Sequence, residues 1–135
     1  MDYGVLVGIN AYPYPNRLNG CLDDIIDLQI ALTALLNFSP TNIKTITDGD
    51  ATEQNIKTAL ASTVQRLNSG DRFIFWYSGH GAQLVEGDVA TDVICPVNFD
   101  STEGNSVTVD DHQIFPVYMP VSWPHGVQIP ATAAI

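Results

Sequence analysis

Apolar positions in the first part of the chain alternate between two kinds of pattern. Residues 3–9, YGVLVGI, form a short continuous apolar run, the signature of a strand buried on both faces. Residues 10–19 hold Pro13, Pro15 and polar side chains and read as a loop. From Cys21 to Asn37 the spacing becomes helical. Ile25, Leu28, Leu32 and Leu35 recur on one face, and Ile26 and Leu36 widen the stripe. Asp23, Asp24 and Asp27 fall in the first turns, where the helix dipole favours negative charge. Residues 43–47 predict a second strand. Thr52 is placed to cap a second helix with Ile56, Leu60, Val64 and Leu67 facing inward and Gly70 ending it. Residues 73–77, FIFWY, are then the most strand-like run in the chain.

Strand, helix, strand, helix, strand implies a parallel sheet joined by right-handed crossovers. Ligands of such sheets collect beyond the carboxyl ends of the strands. The segments to watch are therefore residues 10–21, 47–52 and 78–83. After Gln83 the pattern loosens. Residues 93–97, VICPV, are short and apolar, and residues 107–109 predict another brief strand. Residues 110–117 predict a short helix limited by Pro116, and apolar alternation over residues 127–135 predicts a last strand. With 135 residues and no linker or repeat, a single domain spanning residues 1–135 is expected.

Charge narrows the function. Five Lys+Arg against fifteen Asp+Glu give a net charge of −10, which argues against a nucleic-acid partner. The last base is Arg72, yet Glu86, Asp88, Asp92, Asp100, Glu103, Asp110 and Asp111 follow it. This asymmetry fits a cationic ligand, either a basic substrate or a divalent metal, and equally a solvated surface. No apolar stretch reaches membrane-spanning length, and the start of the chain lacks the basic and long apolar regions of a signal peptide. Two cysteines, Cys21 and Cys95, make neither a disulfide framework nor a zinc cluster, so a cytoplasmic setting is expected.

The chemistry concentrates in Ser78-Gly79-His80-Gly81, directly after the FIFWY run. Flanking glycines let the backbone turn sharply and clear space around the imidazole. A histidine at the carboxyl end of a strand can act as a base near neutral pH, or can simply occupy a satisfied turn. Cys21 lies at the mouth of the first helix, where the dipole lowers a thiol pKa but the neighbouring acids raise it.

The segments VGINAY, LNGCLDD, TDGDAT, SGDRF, FWYSGHGAQ and CPVNFD occur in the order seen in metacaspases, and the chain resembles that family over residues 3–135. The resemblance implies an α/β fold, a caspase–haemoglobinase-like three-layer α-β-α sandwich with a mainly parallel sheet. It implies a Cys–His dyad with His80 as its histidine, and a preference for cleaving after Arg or Lys. Cys21, Asp24 and Ser78 match positions lining the acidic specificity pocket. A carboxylate at Asp24 suits a guanidinium, and Ser78 can add a hydrogen bond. The family's nucleophile lies in an Asp-x-Cys-His-Ser-Gly segment after the strand that residues 127–135 resemble. Neither Cys21 nor Cys95 matches it, so the domain reads as incomplete at its C-terminus and inactive alone. Many family members need calcium. Asp110 and Asp111 match paired acids of that site and Asp92 lies near a third, while His112 and His125 match no role.

The leading expectation is thus a metacaspase-type cysteine endopeptidase domain acting on polypeptides with basic residues, carrying the base and most of the pocket but not the nucleophile. The alternative is a non-catalytic caspase-like module that binds basic peptides, or a protease or caspase-like partner, as regulator or decoy.

Overall fold

The structure, a computed structural model, describes residues 1–100 together with Val107 and Thr108. Three strands, β1 (Asp2–Gly8), β2 (Ile43–Thr47) and β3 (Arg72–Ser78), form a parallel sheet in the order β2-β1-β3. β1 is central, and six of its seven residues are buried, as the unbroken apolar run requires. The register sets Gly4, Leu6 and Gly8 beside Ile74, Trp76 and Ser78 on one face, and Tyr3, Val5 and Val7 beside Phe73, Phe75 and Tyr77 on the other.

Each face carries one helix, which gives the three expected layers. α1 (Cys21–Leu36) brings Ile25 and Leu32 onto the first face, where they pack with Leu6 and Phe38. α2 (Glu53–Val64) brings Ile56, Leu60 and Val64 onto the second, against Val5, Val7, Phe75 and Tyr77. Truncating a fully buried leucine here, such as Leu32 or Leu60, would cost about 2–5 kcal/mol.

Both helices depart from the expected stripes. α1 keeps Ile25 and Leu32 inside and Leu28 partly so, but Ile26, Leu35 and Leu36 are exposed. Asn37 adopts the left-handed conformation, the Phe38 N–H returns to the Leu32 carbonyl at 3.0 Å, and the Phe38 ring fills the place that Leu35 was expected to take. α2 is capped by Thr52 as predicted, its side chain accepting from the Asn55 N–H at 3.2 Å. It ends at Val64, not at Gly70. Arg66 and Leu67 donate to carbonyls three residues back, so the chain tightens into turns. Leu67 still packs against the core, from a turn and not from the helix.

A second sheet follows β3, over the stretch where the sequence pattern loosens. β4 (Gly81–Glu86) and β5 (Val89–Ile94) form an antiparallel hairpin around Gly87 and Asp88, and β6 (Val107–Thr108) pairs with β5. The brief strand expected at residues 107–109 is therefore present. The helix expected at residues 110–117 and the strand expected at 127–135 lie outside the described residues. No helix among the described residues is long and apolar enough to cross a membrane.

Candidate active site

The three segments singled out at the strand ends meet. Gly8 ends β1 opposite Ser78, and a Cβ at Gly8 would lie 2.5 Å from Ile25 Cγ1 and 2.9 Å from the Cys21 carbonyl oxygen. Only a glycine lets the first turn of α1 settle onto the end of β1. The Cys21 N–H, one of the donors a helix start leaves open, is taken by Asn10 Oδ1 at 2.9 Å. One turn on, Asp24 reaches across to β3, where the buried Ser78 hydroxyl donates to its Oδ2 at 2.6 Å. The rest of the Asp24 side chain is exposed. Cys21 is buried beneath the same turn. The result is a carboxylate held at one oxygen and open to solvent, where a charge-assisted hydrogen bond to a cation can form.

His80 stands two residues beyond Ser78. Its Nε2 lies 2.6 Å from the Asn16 carbonyl oxygen in the loop after β1. A carbonyl only accepts, so in the neutral imidazole Nε2 carries the proton and Nδ1 is the basic nitrogen. The loop itself is tied down by Asp48, whose Oδ1 accepts from the N–H groups of Asn10 and Ala11, both at 2.9 Å. Tyr12 from this loop packs its ring 4.5 Å from the imidazole, centroid to centroid, with the planes tilted by 54°. Burial pushes the Tyr12 phenol up to about 12, and burial with the neighbouring Tyr12 pushes Tyr77 higher still, so both remain protonated.

The family description "Metacaspase, peptidase C14 domain" matches residues 3–132. The chain belongs to the metacaspase family. It is 32% identical over 136 residues to "Metacaspase-1" of Arabidopsis thaliana, covering 93% of this chain and 36% of that one. To "Metacaspase-1" of Plasmodium falciparum it is 34% identical over 120 residues, covering 79% of this chain and 19% of that one. The chain thus spans about a third or less of the length of these relatives. Among solved structures, the protein GSU0716 of Geobacter sulfurreducens superposes with a TM-score of 0.63 at 24% identity, over 81% of this chain and 42% of that one. That likeness supports the caspase-like fold.

Within this metacaspase domain, four of the residues marked by sequence converge: Cys21, Asp24, Ser78 and His80. Asp92 sits on β5 and accepts at Oδ1 from Gln83 Nε2 across the hairpin at 3.1 Å. Asp110 and Asp111 lie outside the described residues. Among the described residues no group of three or more His, Cys, Asp or Glu is placed to hold a metal ion. Cys95 is buried at the end of β5, and burial raises its thiol above the ordinary value. The sequence reading passed over Asn10, Tyr12, Asn16 and Asp48. Pattern gives no sign of a backbone carbonyl such as Asn16 O, although Asp48 stands in the motif TDGDAT and Tyr12 in VGINAY.

Proposed function

We propose that this domain supplies the general base and the basic-specificity pocket of a cysteine endopeptidase that cleaves polypeptides after Arg or Lys. The observation that carries the reading is the pairing of two features at the carboxyl end of β3: His80 with Nδ1 left basic, and the solvent-facing Asp24 carboxylate of α1 held by Ser78. In this scheme the Asp24 carboxylate takes the guanidinium or ammonium of the substrate residue. His80 Nδ1 takes the proton of a cysteine thiol, and the thiolate attacks the scissile carbonyl carbon. The imidazolium then returns the proton to the leaving amine as the carbon–nitrogen bond breaks. Water, deprotonated by the same nitrogen, releases the acyl group.

The nucleophile is neither Cys21 nor Cys95. Cys21 lies under the first turn of α1 on the pocket side, and the Cys95 thiolate is disfavoured by burial. Calcium is proposed as an activating ion held by Asp92, Asp110 and Asp111. The donor set is chemically suitable, since carboxylate oxygens are the ligands calcium prefers and Gln83 engages only Oδ1 of Asp92. With two free thiols the domain fits a reducing, cytoplasmic setting.

The test is calorimetric titration of the chain with an arginyl peptide amide. Asp24→Asn is expected to weaken binding up to about fivefold, the equivalent of the roughly 1 kcal/mol that a solvent-facing ion pair contributes. Preference for an aspartyl peptide, or binding indifferent to Asp24→Asn, would overturn the pocket assignment.

A further inference from the structure

The imidazole of His80 is fixed from the Asn16 side, but its backbone is held by something else. The His80 N–H donates to Tyr12 Oη at 2.9 Å. Tyr77 Oη lies 2.6 Å from the His80 carbonyl oxygen and 2.8 Å from the Cys95 carbonyl oxygen. The two phenols are 2.7 Å apart, and Tyr12 Oη is also 2.7 Å from the Cys95 carbonyl oxygen. Each phenol has one proton. Tyr12 accepts from His80 and donates onward to Tyr77 or to Cys95, and Tyr77 donates to one of the two carbonyls. Both rings are buried, which strengthens the hydrogen bonds that the phenols make.

We propose that Tyr12 and Tyr77 are positioning residues for His80: the paired phenols clamp its peptide groups and thereby aim Nε2 at the Asn16 carbonyl. The role of the imidazole as base rests on the proposed function; the clamp does not. Two further observations support it. Tyr12 and Asn16 belong to one loop, so that loop grips His80 at the backbone N–H, at the ring face and at Nε2. And the glycine before the histidine is demanded by the phenols. A Cβ at Gly79 would lie 2.5 Å from Tyr77 Oη and 2.6 Å from Tyr12 Oη, whereas at Gly81 it would meet nothing nearer than 3.6 Å. The first glycine of Ser-Gly-His-Gly thus makes room for the clamp.

The experiment is nitrogen-15 NMR of the chain, reading the tautomer of the neutral His80 imidazole and the exchange of the His80 amide proton. The native chain should favour the Nε2–H form by about tenfold or more. Tyr12→Phe keeps the ring against the imidazole and removes only the hydroxyl. It should cut the tautomer preference at least about threefold and speed amide exchange at least about tenfold beyond any change in global stability. Gly79→Ala, which keeps both phenols but pushes them away, should do the same. It also provides the measurement if Tyr12→Phe does not fold. Tyr3→Phe, which removes a phenol of another buried tyrosine, bonded to Met1 Sδ, should leave both readouts unchanged. An unaltered tautomer ratio and amide exchange in the Tyr12 or Gly79 variant would overturn the clamp. That result leaves the arginyl-peptide titration to decide the proposed function separately.

Discussion

Replacing Gly8 by alanine should loosen α1 from the sheet, while the same change at Gly4 should not. The two glycines lie on one strand and face the same helix layer, so they differ mainly in what a new methyl group meets. At Gly4 the Cβ would stand 3.6 Å from both γ carbons of Ile43, an ordinary contact. At Gly8 it would stand 2.5 Å from Ile25 Cγ1 and 2.9 Å from the Cys21 carbonyl oxygen. Ile25 is buried and has little room to turn, and the Cys21 oxygen is backbone, so the first turn of α1 must shift. Overpacking of this kind costs about 1–3 kcal/mol. For a domain of this size about 4 °C in Tm corresponds to 1 kcal/mol, so Gly8→Ala should lower Tm by ~4–12 °C. Gly4→Ala should raise it by ~2–4 °C, because alanine loses about 0.4–1 kcal/mol less chain entropy on folding. The shift of α1 also draws Asp24 away from Ser78, so Gly8→Ala should weaken arginyl-peptide binding and Gly4→Ala should not. Urea and thermal unfolding followed by circular dichroism read the stabilities, with the urea slope expected to stay constant. Equal stability of the two variants would refute the close-approach argument.

Three other outcomes are expected. The chain alone should hydrolyse no Arg or Lys fluorogenic peptide, with or without calcium; Arg-specific turnover abolished by Cys21→Ala or Cys95→Ala would show a nucleophile within it. Millimolar calcium should raise Tm, by the equivalent of about 2.7 kcal/mol if the ion is present at a hundred times its dissociation constant. The Asp92→Asn, Asp110→Asn, Asp111→Asn triple variant should lose that rise, and an unshifted Tm in the native chain would remove calcium from the scheme. Finally, hydrogen bonds from Arg72 hold the Asp2 carboxyl below its ordinary value. A depressed folded pKa adds stability above the unfolded value of about 3.9, and that stability is lost as pH falls through the folded one. Acid should therefore destabilise the native chain more steeply than Asp2→Asn, a small effect at this partly exposed pair; superimposed Tm profiles down to about pH 3 would contradict it.

Much of the scaffold was legible in the chain. The central strand β1 is buried on both faces and so reads as an unbroken apolar run, and each helix buries one stripe and so reads with helical period. Thr52 announced the start of α2, and Ser78-Gly79-His80-Gly81 stood out because two glycines around a histidine make an unusual tetrapeptide. The hairpin of β4 and β5 was not legible. It projects with both faces largely in water, so no alternation of apolar and polar residues marks it. Helix ends were decided by tertiary packing as well. Leu35 has the right spacing but is exposed, and Phe38 reaches the core from beyond the helix. The same division holds at the site. Asp24 and Ser78 were singled out through the family resemblance and His80 through its flanking glycines, all features readable along the chain. That Asn16 turns a carbonyl to Nε2, that Asp48 ties the loop down, and that the Tyr12 phenol takes the His80 N–H depend on contacts between residues 37 to 68 positions apart. Those contacts are made by backbone groups and by side chains common in any core, and only the folded chain brings them within hydrogen-bonding distance.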